Sequence, residues 1–247
     1  MIKKFFVTLL ATAALFTSCK SDDDSVRELS PEQQNSLDDL AIEEYLELHY
    51  FHPNNGKITR FDTITGNEDD QYTALKKLAV KDPVGYYYVI RPDVTAEGPS
   101  VVSNDESQIL ISYDAKIFTA TNDDDYKYKF GSIQDYANTI NAGDGSATID
   151  PEFYYFKPTE TEIKNGVKRE YRELKYFVEG LKKFKSTQRN RNDLYNFQGA
   201  IILPSRLAYG RERLYTGTSV TNRHAYRNST FVFNFELNKV TTPRPTN

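Results

Sequence analysis

The sequence predicts an α+β protein in which strands flank one late helix and a helical piece comes first. An amphipathic helical pattern starts at Leu37, and most of the chain after residue 83 has strand patterns. Only one further strong helical pattern follows, so helices and strands do not alternate as they do in a parallel α/β fold. The 247 residues are 38% hydrophobic and 27% charged, which excludes a disordered chain and a multi-span membrane protein.

Residues 1–18 are predicted to be the signal peptide of a lipoprotein. Lys3 and Lys4 precede an uncharged stretch at 5–16, and small residues lead from there to Cys19. The stretch is too short for a membrane-spanning helix, which needs about 20 apolar residues. The junction before Cys19 resembles a bacterial lipobox, in which the cysteine becomes the lipidated first residue.

Cys19 is the single cysteine, so the chain has neither an intramolecular disulfide nor a cysteine-rich zinc site. Its position at the junction favours lipidation over an ordinary signal peptide with an incidental cysteine. Acyl chains contribute about 0.8 kcal/mol per buried CH₂ and would hold the protein on a membrane without help from the fold. We therefore expect an outer-membrane lipoprotein of the cell envelope, exposed to the periplasm or on the surface.

The N-terminal part of the mature chain is predicted to be a tether followed by helices. Residues 19–36 are polar and turn-rich, and the acidic run at 22–24 resembles the tether of Bacteroidetes-type lipoproteins or is simply a solvated linker. Residues 37–82 form the predicted helical segment. It contains an amphipathic helix of about four turns from Leu37, and a short helix at 70–78.

The rest of the chain is predicted to be mostly strands. A second amphipathic helix is predicted at 172–185. Residues 121–158 have weak periodicity and are predicted to be an irregular insertion with a short helix around 133–140. Four strands are predicted, at 86–90, 108–118, 200–204 and 231–237.

Several fragments occur in the order typical of one family. FVEGLKKFK is followed by GAIILPSRLAYG and then by NSTFVFNFELNKV, and ILISYDAKIF precedes all three. In this order they resemble the FKBP-type peptidyl-prolyl cis-trans isomerases, and the helical segment behind a lipobox resembles the isomerase-like lipoproteins of Bacteroidetes. The resemblance is clearest at 173–240 and assigns 83–242 to an FKBP-like domain. It implies a curved antiparallel sheet wrapped on one helix, an N-terminal helical appendage, and an aromatic pocket that binds proline.

The chemistry that the resemblance implies is rotation about an X-Pro peptide bond in proline-containing, exported polypeptides. The barrier is roughly 18–20 kcal/mol, and the cis form lies only about 0.5–1 kcal/mol above trans. An apolar pocket disfavours the dipolar resonance form and can bind the twisted amide better than either isomer. Neither a cofactor nor a metal is required, which agrees with three histidines that form no ligand cluster; His49 and His52 have no third ligand at a fixed spacing.

The resemblance assigns three aromatic residues to the pocket. Tyr209 falls on the tyrosine whose hydroxyl donates to a substrate carbonyl. Phe177 stands where most of the family has the tryptophan of the pocket floor, and Tyr113 falls on a side-wall tyrosine. For Tyr209 the alternative is a turn tyrosine packed on the sheet, and for Tyr113 it is a plain core aromatic.

Three further residues are assigned with less specific signals. Leu174 stands where the family offers a backbone N–H to the ligand carbonyl, and Phe233 matches an aromatic residue of the closing strand. Core packing alone would favour the same residue types at both positions. Asp124 is the candidate for the pocket carboxylate, but the phenylalanine of the family's Phe-Asp pair is absent and an acidic loop is the preferred interpretation.

The departures from the family pattern leave two alternative functions open. Phe177 replaces the tryptophan, and the segment at 211–227 is basic where the family has an apolar flap. One alternative is a non-catalytic FKBP-fold lipoprotein that binds peptides or another envelope component, and the other is a surface glycan-binding lipoprotein. The formal net charge of −4 without a basic stripe excludes nucleic-acid binding as the main function.

Overall fold

The protein has a mixed α/β fold with a mostly antiparallel sheet and few helices. The computed structural model describes four stretches of the chain, residues 29–123, 126–140, 146–211 and 226–246. The signal peptide, Cys19 and Asp124 lie outside the described residues, as does most of the basic segment at 211–227. In the described stretches, no helix combines the length and the apolar character that crossing a membrane requires.

Helices and strands of the described residues are numbered in chain order. The helices are α1 (Pro31–Leu48), α2 (Leu75–Leu78), α3 (Glu160–Lys164) and α4 (Lys175–Leu181). The strands are β1 (His49–Phe51), β2 (Ile58–Arg60), β3 (Ala79–Lys81), β4 (Tyr87–Ile90), β5 (Gln108–Asp123), β6 (Tyr126–Phe130), β7 (Gln134–Asn138), β8 (Thr148–Ile149), β9 (Gly199–Leu203) and β10 (Ser229–Thr241).

The main sheet has the strand order β3-β4-β9-β10-β5-β6, and β7 and β8 also pair with β5. Each of these pairings is antiparallel. The long strands β5 and β10 pair along almost their whole length, with a register shift between Leu237 and Lys239. β1 and β2 form a separate two-stranded sheet.

One face of the main sheet packs on α4. Successive side chains of a strand point to opposite faces, so every second residue of β10 lies on this side. Phe231, Phe233, Phe235 and Leu237 are all buried there, together with Phe177 of α4. The period-two pattern in the sequence is therefore confirmed as a core face.

The opposite face of the sheet packs on α1. Val232 of β10, Ile202 of β9 and Val89 of β4 are buried with Ile42 and Tyr45 of α1. Because the apolar stripe of α1 covers a second apolar face of the sheet, the N-terminal segment belongs to the body of the fold. The expected helical appendage is thus wrong for α1, which shares a core with the sheet.

α1 begins earlier than the sequence analysis predicted. Ser30 caps the helix through a capping box with Gln33, and Pro31 stands at the first helical position. Residues 31–36 consequently belong to α1 and not to the predicted tether.

Three predicted helices differ from the structure, because tertiary contacts determine the secondary structure of these segments. The helix predicted at 133–140 is strand β7, whose backbone pairs with β5. The helix predicted at 172–185 is shorter, because α4 ends at Leu181 and a turn follows. The segment at 70–78 contains only a 3-10 turn, Glu68–Gln71, and the single turn of α2.

Candidate functional site

Tyr209 lies in a tight turn that follows β9. Pro204 ends the strand, and residues Ser205–Leu207 form a 3-10 helix. Gly210 has φ of +58°, which is the left-handed region that glycine adopts without a side-chain clash, and its N–H donates to the Ser205 carbonyl at 2.8 Å. This closed turn fixes the direction in which Tyr209 leaves the backbone.

The Tyr209 side chain is buried and its hydroxyl is fully engaged. The hydroxyl donates to the backbone carbonyl of Arg172 at 2.6 Å and lies 3.3 Å from the hydroxyl of Tyr136 on β7. Burial raises the pKa of Tyr209 well above its ordinary value and raises the pKa of Tyr136 to about 12. Both groups are therefore neutral hydroxyls near pH 7.

Leu174 and Phe177 mark the start of α4. Leu174 precedes the first helical residue and has no side-chain cap, so its backbone N–H needs a partner outside the helix. That partner is the carbonyl of Phe153, which accepts at 2.8 Å. Phe177 follows one turn later and has no exposed surface.

Phe153 lies among three of the predicted pocket residues. Its ring centroid is 5.1 Å from that of Tyr113, 5.1 Å from Phe177 and 5.0 Å from Phe233. The rings of Phe177 and Phe233 are 4.5 Å apart. We call the following residues the aromatic cluster: Tyr113, Tyr136, Phe153, Phe177, Tyr209, Phe231 and Phe233.

The structure brings together the predicted residues that it describes. Tyr113, Leu174, Phe177, Tyr209 and Phe233 share one core between the sheet and α4, although they come from separate parts of the sequence. Their assigned roles stay predictions. Asp124 lies outside the described residues.

Sequence reasoning missed Tyr136 and Phe153. Both lie in the stretch at 121–158, whose weak periodicity gave no local signal for a core position. The aromatic run that contains Phe153, PEFYYF, was the available hint, because consecutive aromatics rarely all face solvent.

Charged side chains hold the chain around Phe153 from outside the cluster. The Arg172 guanidinium bonds both carboxylate oxygens of Glu152, at 2.9 and 2.8 Å, and lies 4.2 Å above the Phe156 ring. Glu173 accepts from the backbone N–H of Phe156 at 2.7 Å. We call residues 151–157 the Phe153 segment.

α1 supports the Tyr209 turn from the far side of the sheet. Asp38 is fully buried and accepts from the backbone N–H and the hydroxyl of Ser205. The Arg206 guanidinium bonds the Asp39 carboxylate at 2.8 Å and the Asn35 carbonyl at 3.3 Å. The helix therefore fixes the turn through its backbone and its side chains.

The described residues offer no alternative metal centre. They contain no group of three or more His, Cys, Asp or Glu side chains placed to hold an ion. His49 is stacked on Tyr45, with ring centroids 3.9 Å apart, and its Nδ1 lies 2.7 Å from the Tyr45 carbonyl. A separate cleft of about 350 Å³ runs beside the outer side of α4, but its lining is largely charged.

Comparisons with known proteins do not assign the chain to a family. No family model matches the chain, and no curated protein matches it. Among solved structures, FkpA from Escherichia coli is 20% identical, with 68% of this chain and 54% of that chain covered and a TM-score of 0.34. A peptidyl-prolyl cis-trans isomerase from Pseudomonas syringae pv. tomato is 12% identical, with coverages of 67% and 82% and the same TM-score. The chain spans about half the length of FkpA, and at this TM-score the likeness supports no argument about the site.

Proposed function

We propose that residues 83–242 form an FKBP-like domain that binds X-Pro segments of exported proteins at the aromatic cluster and catalyses their cis-trans isomerisation. In this proposal the curved sheet wraps on α4. The observation that supports the proposal is that Tyr113, Leu174, Phe177 and Tyr209 lie together in one hydrophobic core.

The donors of the site suit a peptide ligand. The Tyr209 hydroxyl and the Leu174 N–H each donate to a backbone carbonyl, those of Arg172 and Phe153. A peptide would offer the same type of acceptor, so exchange of partners leaves no donor unpaired. Apolar walls would disfavour the dipolar amide resonance form, and the neutral hydroxyl would orient the carbonyl without proton transfer.

A second candidate function is peptide binding without catalysis. It is favoured by the position of Phe153, whose ring fills the space between Tyr113, Phe177 and Phe233. The glycan-binding alternative needs exposed rings, and the rings of Phe177 and Phe233 are completely buried.

The test is the isomerisation rate of short X-Pro peptides with the purified full chain in detergent. A rate above that of buffer is expected for the wild type. Tyr209→Phe removes one donor and is expected to lower kcat/KM about fivefold, from the loss of roughly 1 kcal/mol of transition-state stabilisation. Tyr50→Phe, in β1 and outside the aromatic cluster, serves as the matched control and keeps the wild-type rate. A wild-type rate equal to that of buffer would exclude the enzyme and leave the binding candidate.

We also propose that Cys19 carries the lipid anchor in the cell envelope. Metabolic labelling with a fatty-acid analogue should mark the wild type, and Cys19→Ser should lose the label and leave the membrane fraction. Unlabelled wild-type protein, or membrane retention of Cys19→Ser, would contradict the anchor.

A further inference from the structure

Phe153 presents to the site the two features that a proline residue would present. Its ring lies at the centre of the aromatic cluster, about 5 Å from the rings of Tyr113, Phe177 and Phe233. Its own carbonyl accepts the hydrogen bond from the Leu174 N–H at 2.8 Å. A bound proline residue likewise offers one apolar ring and one carbonyl, so the two cannot occupy the site together.

From this arrangement we propose that Phe153 is an internal occupant of the prolyl site and the residue that determines access to it. The inference rests on the proposed X-Pro binding at the aromatic cluster. A substrate binds only the fraction of molecules in which the Phe153 ring has left the cluster, and the apparent dissociation constant is raised by the inverse of that fraction.

The Phe153 segment is anchored independently of the Phe153 ring. The Tyr154 hydroxyl donates to the Ser107 carbonyl at 2.8 Å, and the Asn104 amide donates to the Tyr154 carbonyl at 2.9 Å. With the Arg172–Glu152 and Glu173–Phe156 contacts, these bonds hold both sides of residue 153. Shortening the Phe153 side chain therefore removes its ring from the cluster while the segment stays anchored, and a peptide then has only the carbonyl of residue 153 to displace from the Leu174 N–H.

The experiment compares the full-length wild type with Phe153→Ala and Phe153→Val. Two readouts are taken with a short Ala-Phe-Pro peptide: the dissociation constant from NMR titration, and the isomerisation rate from exchange NMR. If the displaced state makes up about 1–10% of the wild type, removal of the ring tightens binding by about tenfold to a hundredfold. Phe153→Val removes less volume and covers the case in which Phe153→Ala does not fold.

The matched control is Phe235→Ala. Phe235 belongs to the same core, is equally large and is fully buried, but its contacts are with Phe184 at 4.8 Å and Phe177 at 6.2 Å. Its removal opens a cavity away from the Leu174 N–H and should not tighten peptide binding. A gain of the same size in Phe235→Ala would overturn the inference, because general loosening would then explain the effect.

The two readouts separate the inference from the proposed function. Tighter binding with faster turnover supports both, and tighter binding without turnover in any variant supports the inference but rejects the isomerase. Binding by a folded Phe153 variant that is no tighter than in the wild type rejects the inference, whatever the rate. In the wild type, saturating peptide should abolish the nuclear Overhauser contacts between Phe153 and Phe233. Bound peptide with those contacts intact would overturn the inference even if both variants fail to fold.

Discussion

At the residue scale, His49 shows how packing decides the protonation of a side chain. The ring is buried against Tyr45, and its Nδ1 lies 2.7 Å from the Tyr45 carbonyl. Burial lowers the pKa of His49 from an ordinary 6.5 to about 4, with a further contribution from the nearby Arg60 charge. His49 is thus neutral in the folded protein near pH 7.

This histidine predicts a loss of stability in mild acid. Because the pKa of His49 is lower in the folded state than in the unfolded state, its contribution is complete above about pH 6.5 and declines as the pH falls towards 4. The loss reaches about 3 kcal/mol at low pH, since one pKa unit corresponds to 1.36 kcal/mol. Urea unfolding between pH 7 and 4 measures it. His49→Gln should reduce the dependence of the free energy of unfolding on pH in this range, and His52→Gln should leave it unchanged. An unchanged pH dependence in His49→Gln would show that His49 is not its source.

Asp38 and Asp39 are neighbours whose removal is expected to destabilise the fold by very different amounts. Asp38→Ala leaves the buried N–H and hydroxyl of Ser205 without their acceptor and should destabilise the fold by roughly 2–4 kcal/mol. Asp39→Ala removes partly exposed ion pairs with Arg206 and Lys81 and should cost less than about 1 kcal/mol. Thermal unfolding of both variants tests the contrast. Equal losses of stability would show that the buried contact of Asp38 with Ser205 contributes no more than the exposed ion pairs of Asp39.

At the element scale, the distance between α4 and the sheet depends on a glycine. A Cβ at Gly180 would lie 2.8, 2.9 and 3.0 Å from three side-chain atoms of Ile201 on β9. Isoleucine is branched at Cβ and has few alternative rotamers, so it gives way at a cost. The close contact keeps Phe177, on the same helix, against the sheet.

Gly180→Ala is therefore expected to destabilise the protein. Alanine in place of a helical glycine normally stabilises by about 0.5–1 kcal/mol, but overpacking against Ile201 should reverse the sign and cost about 1–3 kcal/mol. The urea midpoint should fall with an unchanged slope. Glu179→Ala, one position earlier and partly exposed, should stay within about 0.5 kcal/mol of the wild type. A stabilised Gly180→Ala protein would show that α4 is packed less closely.

At the scale of the whole molecule, the main sheet has two cores, one on each face. The core with α4 contains the aromatic cluster, and the core with α1 contains residues such as Ile202 and Val232. The strand β3 of the N-terminal segment also pairs with β4 and extends the sheet. The N-terminal segment and the strands after residue 83 therefore share one sheet and the core on one of its faces.

Deletion of residues 1–82 should abolish cooperative folding, because it uncovers the apolar face under α1. The shortened chain should bind hydrophobic dye, aggregate, and show no sharp unfolding transition. A chain that begins at residue 29 retains α1 and should unfold like the full chain. A monomeric, cooperatively folded product of residues 83–247 would instead restore the appendage interpretation.

Local periodicity predicted β4, β5, β9 and β10, because the alternation of these strands is visible in neighbouring residues. The other side of β10 carries two polar residues, Asn234 and Glu236, and both are buried. Asn234 accepts from the N–H of Ile58, and Glu236 accepts from the N–H of Asn196 and the hydroxyl of Thr187. Their partners are distant in sequence, so no local pattern marks them.

The residues of the candidate site were likewise predictable only in part. Tyr209 and Phe177 lie in fragments that resemble a known family, so their meeting could be expected. Phe153 lies in a stretch without regular periodicity, and its contacts with Tyr113, Phe177 and Phe233 join residues at least 20 positions apart. Resemblance names only residues in the matching fragments, and Phe153 lies outside those fragments.

The contacts between α1 and the Tyr209 turn also create a route for mechanical force. The Leu29 carbonyl accepts from Arg211 just beyond that turn, and Asp38 bonds the turn itself. These bonds lie near the N-terminal end of the described chain, so a pull from that end loads them before it loads the long pairing of β5 with β10. For a protein tethered at its N terminus, tension would then act first on the backbone turn that orients the Tyr209 side chain.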